Sequence, residues 1–494
     1  MSKKNYLIFD FGASNGRAAI ASFEGSSFDL EVTHRFENRP VFAGGTLYWD
    51  ILRLFSELKA GVQASKKKFA DIRSLGIDVW GADYGFLDEN GKLISNPINY
   101  RDEQSIKDSG SLFKIIKERE LFELTGAWTN PIFDLFRLYS QKINNSTAIS
   151  NAKTYLSIGD LFNYFLTGNI FNEFTRFTTN VLYNQKAKKI ESSIFKRLGL
   201  PREIFPDFIY PGQKAGDISN EVARELGVDP YPVIAPAMHD TASAVAGIPV
   251  ADKKMKWAFI SLGTWAIMGI ENNEVLIGDD IYDSVFSNEA GVEDTNIFVK
   301  NINGLWIIQQ CRERWLKERE ISWDRIVYLS KETASFASLI DVDQPQFAGL
   351  QADMPAVIRD YCQGTGQKKP GSIGEISRCV YESLSLKFRY YFELLERFSG
   401  QKLELLHLIG GGTQNRLLCQ WISNATGKPV IAGPTETTAV GNLLMQLKAD
   451  NEISSIEDGR SLSRASSKVY EYSPEETAKW DGAYNRFIKI TGEK

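Results

Sequence analysis

The stretch "LIFDFGASNGR", residues 7–17, decides how this chain is to be read. Apolar residues run to Asp10, the chain turns through Gly12, Ala13, Ser14, Asn15 and Gly16, and after Arg17 an apolar run resumes as "AAIASFE". Small residues of this kind accept the backbone angles of a tight turn, so the stretch predicts a strand, a turn and a second strand. "LEVTHRFE" continues as a third strand. "DILRLFSELKAGVQASKKK" then has the apolar spacing of a helix with a solvated lysine end, and "IRSLGIDVWG" returns to strand. Around residue 257 the opening pattern recurs: "KWAFISLGTWAIMGI" is again a strand, a Gly/Ser/Thr turn and a strand, with "ELLHLIGGG" and "PVIAG" as later strands. The same architecture twice predicts an α/β protein of two domains, cut at 1–245 and 246–494, that face each other across a ligand-binding cleft.

Bulk numbers agree with that frame. At 494 residues the chain is too long for one core. With 57 basic and 62 acidic residues its net charge is −5, which argues against a nucleic-acid or anionic-membrane partner. No apolar run reaches the length of a membrane span, and "MSKKNYLIFDFG" is too short in apolar residues for a signal peptide, so a cytoplasmic location is expected. The four cysteines show no zinc spacing and are expected to be reduced, although Cys362 and Cys379 flank a loop that a disulfide would close.

Three stretches carry residue types suited to chemistry. Asp10 closes a strand ahead of a turn whose amides would face an anion, and a carboxylate there suits Mg²⁺; a plain hairpin explains the same residues. "SLGTW", 261–265, offers the Gly263 backbone and the Thr264 hydroxyl, so two such loops would grip a polyphosphate from opposite sides. "LLHLIGGGTQN" runs a strand through Gly410, Gly411 and Gly412 to Asn415 at a helix start, a place that favours an anion or nucleotide edge. Neither GxGxxG nor a Walker A loop occurs. Asp240, in "APAMHDTASAV", is either a helix N-cap serving Ala242 or Ser243, or a general base that takes the proton of an attacking hydroxyl. In the second reading His239 and Thr241 hold neighbouring substrate hydroxyls, and Trp80, Gly81 and Asp83 of "IDVWGADYG" face a sugar.

"DFGASNGR", "GIDVWGAD", "YRD", "HDTASAV", "SLGTW", "NINGLWIIQ" and "HLIGGGTQN…VIAGPTET" stand in the order found in the FGGY family of carbohydrate kinases, which the chain resembles over nearly its whole length. The resemblance implies two actin-like (ribonuclease-H-like) domains around a cleft, and transfer of the γ-phosphate of MgATP to a sugar hydroxyl. The motifs are most similar to the branch acting on O1 of L-rhamnulose. By position, Asp240 corresponds to the catalytic base, and Gly81, His239, Thr241 and Asn301 to sugar contacts. Ala13, Ser14, Asn15, Gly16 and Arg17 match the first phosphate loop, Asp10 the Mg²⁺ anchor, and Thr264, Gln309 and Gly411 the ATP contacts. The other partners implied are none beyond sugar and ATP, in a monomer or homodimer.

Three stretches depart from that branch: "GADYG" with Tyr84, "PIFD" ending in Asp134, and "EFTRFTTN" with Arg176. All lie on the expected sugar side, which keeps L-fuculose, L-xylulose and D-xylulose as alternative substrates. An actin- or Hsp70-like nucleotide switch would share the phosphate loops but has no need of "HDTASAV".

Overall fold

A computed structural model describes residues 3–250, 252 and 254–493. The chain forms two compact units, Met1–Ala251 with Glu271–Phe298 and Thr437–Ser466, and Asp252–Ile270 with Val299–Glu436 and Ser467–Lys494. Residues 271–298 and 437–466 thus join the unit begun by the first half of the chain.

The first unit opens with β1 (Lys4–Phe11), β2 (Asn15–Phe23), β3 (Phe28–Glu37), α1 (Ile51–Lys68) and β4 (Ile72–Val79). Later come β5 (Lys214–Asp217), β6 (Pro232–Ile234) and the short helix α2 (Asp240–Ala246). The sheet order is β5-β6-β4-β1-β2-β3. β1, β2 and β3 pair antiparallel, while β4 runs parallel to both β1 and β6. Strands β1 and β4 are buried on both faces, so their sequences are nearly continuous apolar runs rather than alternating ones. Asp50 caps α1 by accepting the Arg53 N–H, and Leu54, Leu58 and Val62 are its buried stripe. Lys66, Lys67 and Lys68 are its exposed end. Between β4 and β6, residues 104–205 fold mainly as short helices around a second, aromatic core that includes Tyr84, Phe136, Tyr155, Phe177 and Phe205.

The second unit repeats the plan. Its strands are β7 (Trp257–Leu262), β8 (Trp265–Asn272), β9 (Asn296–Asn303), β10 (Leu405–Ile409), β11 (Val430–Ala432) and β12 (Tyr470–Tyr472). They lie in the order β9-β8-β7-β10-β11-β12, with β7–β8 antiparallel and β7–β10 and β10–β11 parallel. In both sheets the first strand is central, flanked by its own hairpin on one side and a parallel strand on the other. This is the expected actin-like arrangement. Each turn is closed by a glycine N–H, though the second is one residue shorter: the Gly12 N–H donates to the Asn15 carbonyl at 2.9 Å, and the Gly263 N–H to the Trp265 carbonyl at 3.1 Å.

Helices α3 (Trp306–Leu316) and α4 (Arg416–Thr426) belong to the second unit, and α5 (Thr437–Ala449) to the first. All four cysteines are buried free thiols, Cys362 and Cys379 included. Among the described residues no helix is long and apolar enough to cross a membrane.

Candidate active site

Parallel pairing in the first unit brings three acidic residues to one edge of the sheet, where strand ends commonly carry ligands. Asp10 lies opposite Asp78 in the β1–β4 register, and Val79 bridges to His239, the residue before Asp240. Asp10 Oδ2 accepts from Arg17 Nη2 at 2.6 Å, across the β1–β2 turn. Asp78 is fully buried; its Oδ2 accepts from Asn442 Nδ2 of α5 at 2.6 Å, and its Oδ1 has no partner. Burial holds the Asp78 carboxyl well above the usual range, and the charges of Asp10 and Asp240 push it further up against the Asn442 bond. Nothing in the sequence marked Asp78 beyond a lone acid in an apolar strand. Only the register gives it a neighbour.

Asp240 stands one position inside its helix: His239 is the N-cap, without a side-chain bond, and Asp240 is the first helical residue. Its Oδ1 accepts the Thr241 N–H at 2.7 Å, not those of Ala242 or Ser243, and lies 3.4 Å from the Thr241 hydroxyl. His239 Nε2 is 3.3 Å from that same oxygen. The Asp240 side chain keeps 37% of its surface open, in contrast to buried Asp78. Desolvation raises its pKa above the ordinary carboxylate value, opposed by His239 and the Thr241 N–H and aided by Asp10.

His239 is nearly buried, with Nδ1 3.3 Å from Glu289 Oε2 and its backbone N–H donating to Thr175 Oγ1 at 3.3 Å. Burial would lower its pKa, but Glu289 and Asp240 outweigh that and hold it above the imidazole value. Glu289 carried no sequence signal. Gly81 explains itself by space: a Cβ there would sit 2.6 Å from His239 Nε2. Thr241 is buried beside Asp240.

Asp83, expected to face a sugar, has a different job. It is fully buried at φ +80°, and its Oδ2 accepts from the indole nitrogens of Trp49 and Trp80, each at 2.7 Å. Its Oδ1 accepts from Arg137, so no oxygen is left over for a ligand. Trp80 is likewise buried, packed against Trp49 with ring centroids 4.6 Å apart.

The loops split into open and structural positions. Ser14 and Asn15 are exposed, Ala13 and Arg17 half-buried, and Gly16 is closed off, since a Cβ would strike Phe36 at 2.2 Å. Asn38 pins this turn, its N–H donating to the Ser14 carbonyl at 3.0 Å and its amide to the Gly12 carbonyl at 2.9 Å. In the second unit Thr264 is exposed, and its loop is held by the Leu305 N–H on the Gly263 carbonyl and the Trp306 N–H on the Thr264 carbonyl, both at 3.0 Å. Gly304 permits that approach: a Cβ would lie 2.7 Å from Ala266 N. Of the three glycines, Gly410 takes φ +84° and Gly412 packs on Leu262, while a Cβ at Gly411 would meet nothing within 4 Å. Asn415 caps α4, accepting the Leu418 N–H at 3.1 Å. Gln309 on α3 and Asn301 on β9 are half-buried.

Among the described residues no cluster of three or more His, Cys, Asp or Glu side chains could hold a metal alone. Mg²⁺ does not require one, because it keeps several waters and takes one or two carboxylates plus substrate phosphates. The repulsion among Asp10, Asp78 and Asp240, and the unpartnered Asp78 oxygen, fit a cation at this edge.

Residues 5–247 match the N-terminal domain of the FGGY family of carbohydrate kinases, and residues 258–449 its C-terminal domain. A rhamnulokinase of Bacteroides thetaiotaomicron is 37% identical over 98% of this chain and 99% of its own length. One of Halalkalibacterium halodurans is 36% identical over 95% and 98%. The gluconate kinase of Lactobacillus acidophilus superposes with a TM-score of 0.83 at 14% identity, covering 99% of this chain and 98% of the other, which is a likeness of fold.

Proposed function

Because the chain belongs to the FGGY family of carbohydrate kinases, we propose that it transfers the γ-phosphate of ATP to O1 of L-rhamnulose, giving L-rhamnulose 1-phosphate, with Asp240 as general base. The observation that carries the sugar is the 37% and 36% identity to two rhamnulokinases over nearly their whole length. The base assignment is supported by contrast among the acids. Asp78 and Asp83 are sealed, Asp10 is tied to Arg17, and Asp240 alone of the four combines an open side chain with a raised pKa. A base poised nearer neutrality than a free carboxylate accepts a hydroxyl proton more readily.

In this reading the ketose lies against Gly81, His239, Thr241 and Asn301, and Asp240 takes the O1 proton as O1 attacks the γ-phosphorus. ADP leaves with the bridging oxygen. The amides of the 13–17 loop, Arg17, Gly263, Thr264, Gln309, Gly411, Gly412 and Asn415 hold the nucleotide, Gly412 and Asn415 by shaping the loop. Asp10 would hold Mg²⁺, which when bound would supply charge neutralisation on the phosphate chain. Residues 1–245 then carry the first phosphate loop and the sugar side apart from Asn301, and 246–494, less the 271–298 and 437–466 segments that join the first unit, the nucleotide side. The enzyme acts in the cytoplasm as a monomer or homodimer.

The test is ADP release from MgATP with L-rhamnulose, L-fuculose, L-xylulose, D-xylulose and glycerol, each beside a no-sugar blank. At least a tenfold preference in kcat/KM for L-rhamnulose is expected. Preference for another ketose overturns the sugar; turnover that no sugar stimulates overturns the reaction.

A further inference from the structure

The three stretches that depart from the expected pattern meet in one place. Asp83, Asp134, Arg137 and Arg176 form a charge-balanced set, each side chain at most 4% exposed. Asp134 Oδ2 accepts from Arg176 Nη2 at 2.9 Å and from Tyr155 Oη at 2.6 Å, and its Oδ1 accepts the Asp83 N–H at 3.1 Å. Tyr84 lies under the Arg137 guanidinium, 5.2 Å from centroid to Cζ, and its hydroxyl accepts from Gln141 at 2.8 Å. Burying two such pairs returns little stability over apolar residues of the same volume. What the set does achieve is geometric. Arg176 Nη2 donates to the Asp83 carbonyl at 3.0 Å; its Nη1 donates to Thr179 Oγ1 at 3.0 Å, and that hydroxyl lies 2.9 Å from both the Gly81 and the Arg176 carbonyls, which share its one proton. The Asp83 end of the 81–83 turn hangs on the guanidinium directly, and the Gly81 end through Thr179. Asp83 keeps a left-handed backbone that only such surrounding contacts maintain. That turn is the wall beside His239.

We propose that Arg176, paired with Asp134, is the specificity-determining positioning residue of the sugar side. It touches no sugar; it fixes the 81–83 turn, and thereby the gap between Gly81 and His239 into which a ketose hydroxyl must fit. The assignment rests on the kinase reading given above. Arg176 uses both terminal nitrogens on different acceptors, so a lysine keeps the charge and loses the fork.

The experiment compares wild type, Arg176→Lys and the charge-neutral double variant Asp134→Asn/Arg176→Gln on the same ketose panel, after circular dichroism and thermal melts. Folded variants are expected to raise the sugar KM at least tenfold and alter the L-rhamnulose to L-fuculose ratio, with kcat within threefold and the ATP KM unchanged. A merely structural role moves the melting temperature without that split. Wild-type sugar KM and ranking in a folded variant overturn the proposal, as does failure of both variants to fold, which assigns the pair to stability. A wild type inactive on every ketose refutes the kinase reading instead, and the two failures are thereby told apart.

Discussion

Replacing Gly81 by alanine tests the geometry of the sugar side with one carbon atom. The added Cβ would stand 2.6 Å from His239 Nε2 and 3.0 Å from its Cδ2, where ordinary contact begins near 3.4 Å. The imidazole must therefore retreat by about 0.8 Å, a displacement of the size that costs roughly 10²-fold when it falls on a positioning group. It has nowhere easy to go, since Nδ1 already lies 3.3 Å from Glu289 and the backbone N–H is tied to Thr175. Overpacking of this kind costs about 1–3 kcal/mol. Gly81→Ala should therefore fold with a lowered melting temperature and lose about 10²-fold in kcat/KM for the ketose by coupled ADP release. Its KM for ATP should stay within twofold. A folded variant with kcat/KM within threefold of wild type refutes the claim that Gly81 and His239 bound the sugar.

Other outcomes follow from the same contacts. Asp240 must be ionised to act, and His239 pulls its raised pKa down, so His239→Asn should move the acid limb of kcat/KM to higher pH; a shift to lower pH contradicts the assignment. Arg137→Met leaves Asp83 buried without its guanidinium and should cost about 3–5 kcal/mol by urea unfolding, whereas a loss under about 1 kcal/mol would mean the pair is dispensable. Gly304→Ala forces a Cβ to within 2.7 Å of Ala266 N and should raise the KM for ATP about tenfold at constant sugar KM, by the effect of a misplaced loop on binding. An unchanged ATP KM would separate the 263–265 loop from the nucleotide.

The fold was legible because a strand, a small-residue turn and a strand are local features, and the chain spells them twice. The candidate site was legible only where a residue's neighbours in sequence are also its neighbours in space, as with His239, Asp240 and Thr241. Asp78 faces Asp10 through a parallel register that no local pattern specifies. Asp83 reads as an available acid beside a glycine until Trp49 and Arg137, distant in sequence, arrive to occupy it. Three consecutive glycines read as one feature, yet one serves conformation, one packing and one openness. The departures at Tyr84, Asp134 and Arg176 read as separate, and burial makes them one network.

The central claim is that Asp240 takes the proton of the sugar hydroxyl. The direct measurement is single-turnover phosphoryl transfer by Asp240→Asn with saturating ketose and ATP, alongside ATP binding by calorimetry. The account predicts native ATP affinity and a fall of about 10²- to 10⁴-fold in transfer, the usual worth of a general base. Transfer at near the wild-type rate would contradict it and leave Asp240 as a residue that merely opens a helix.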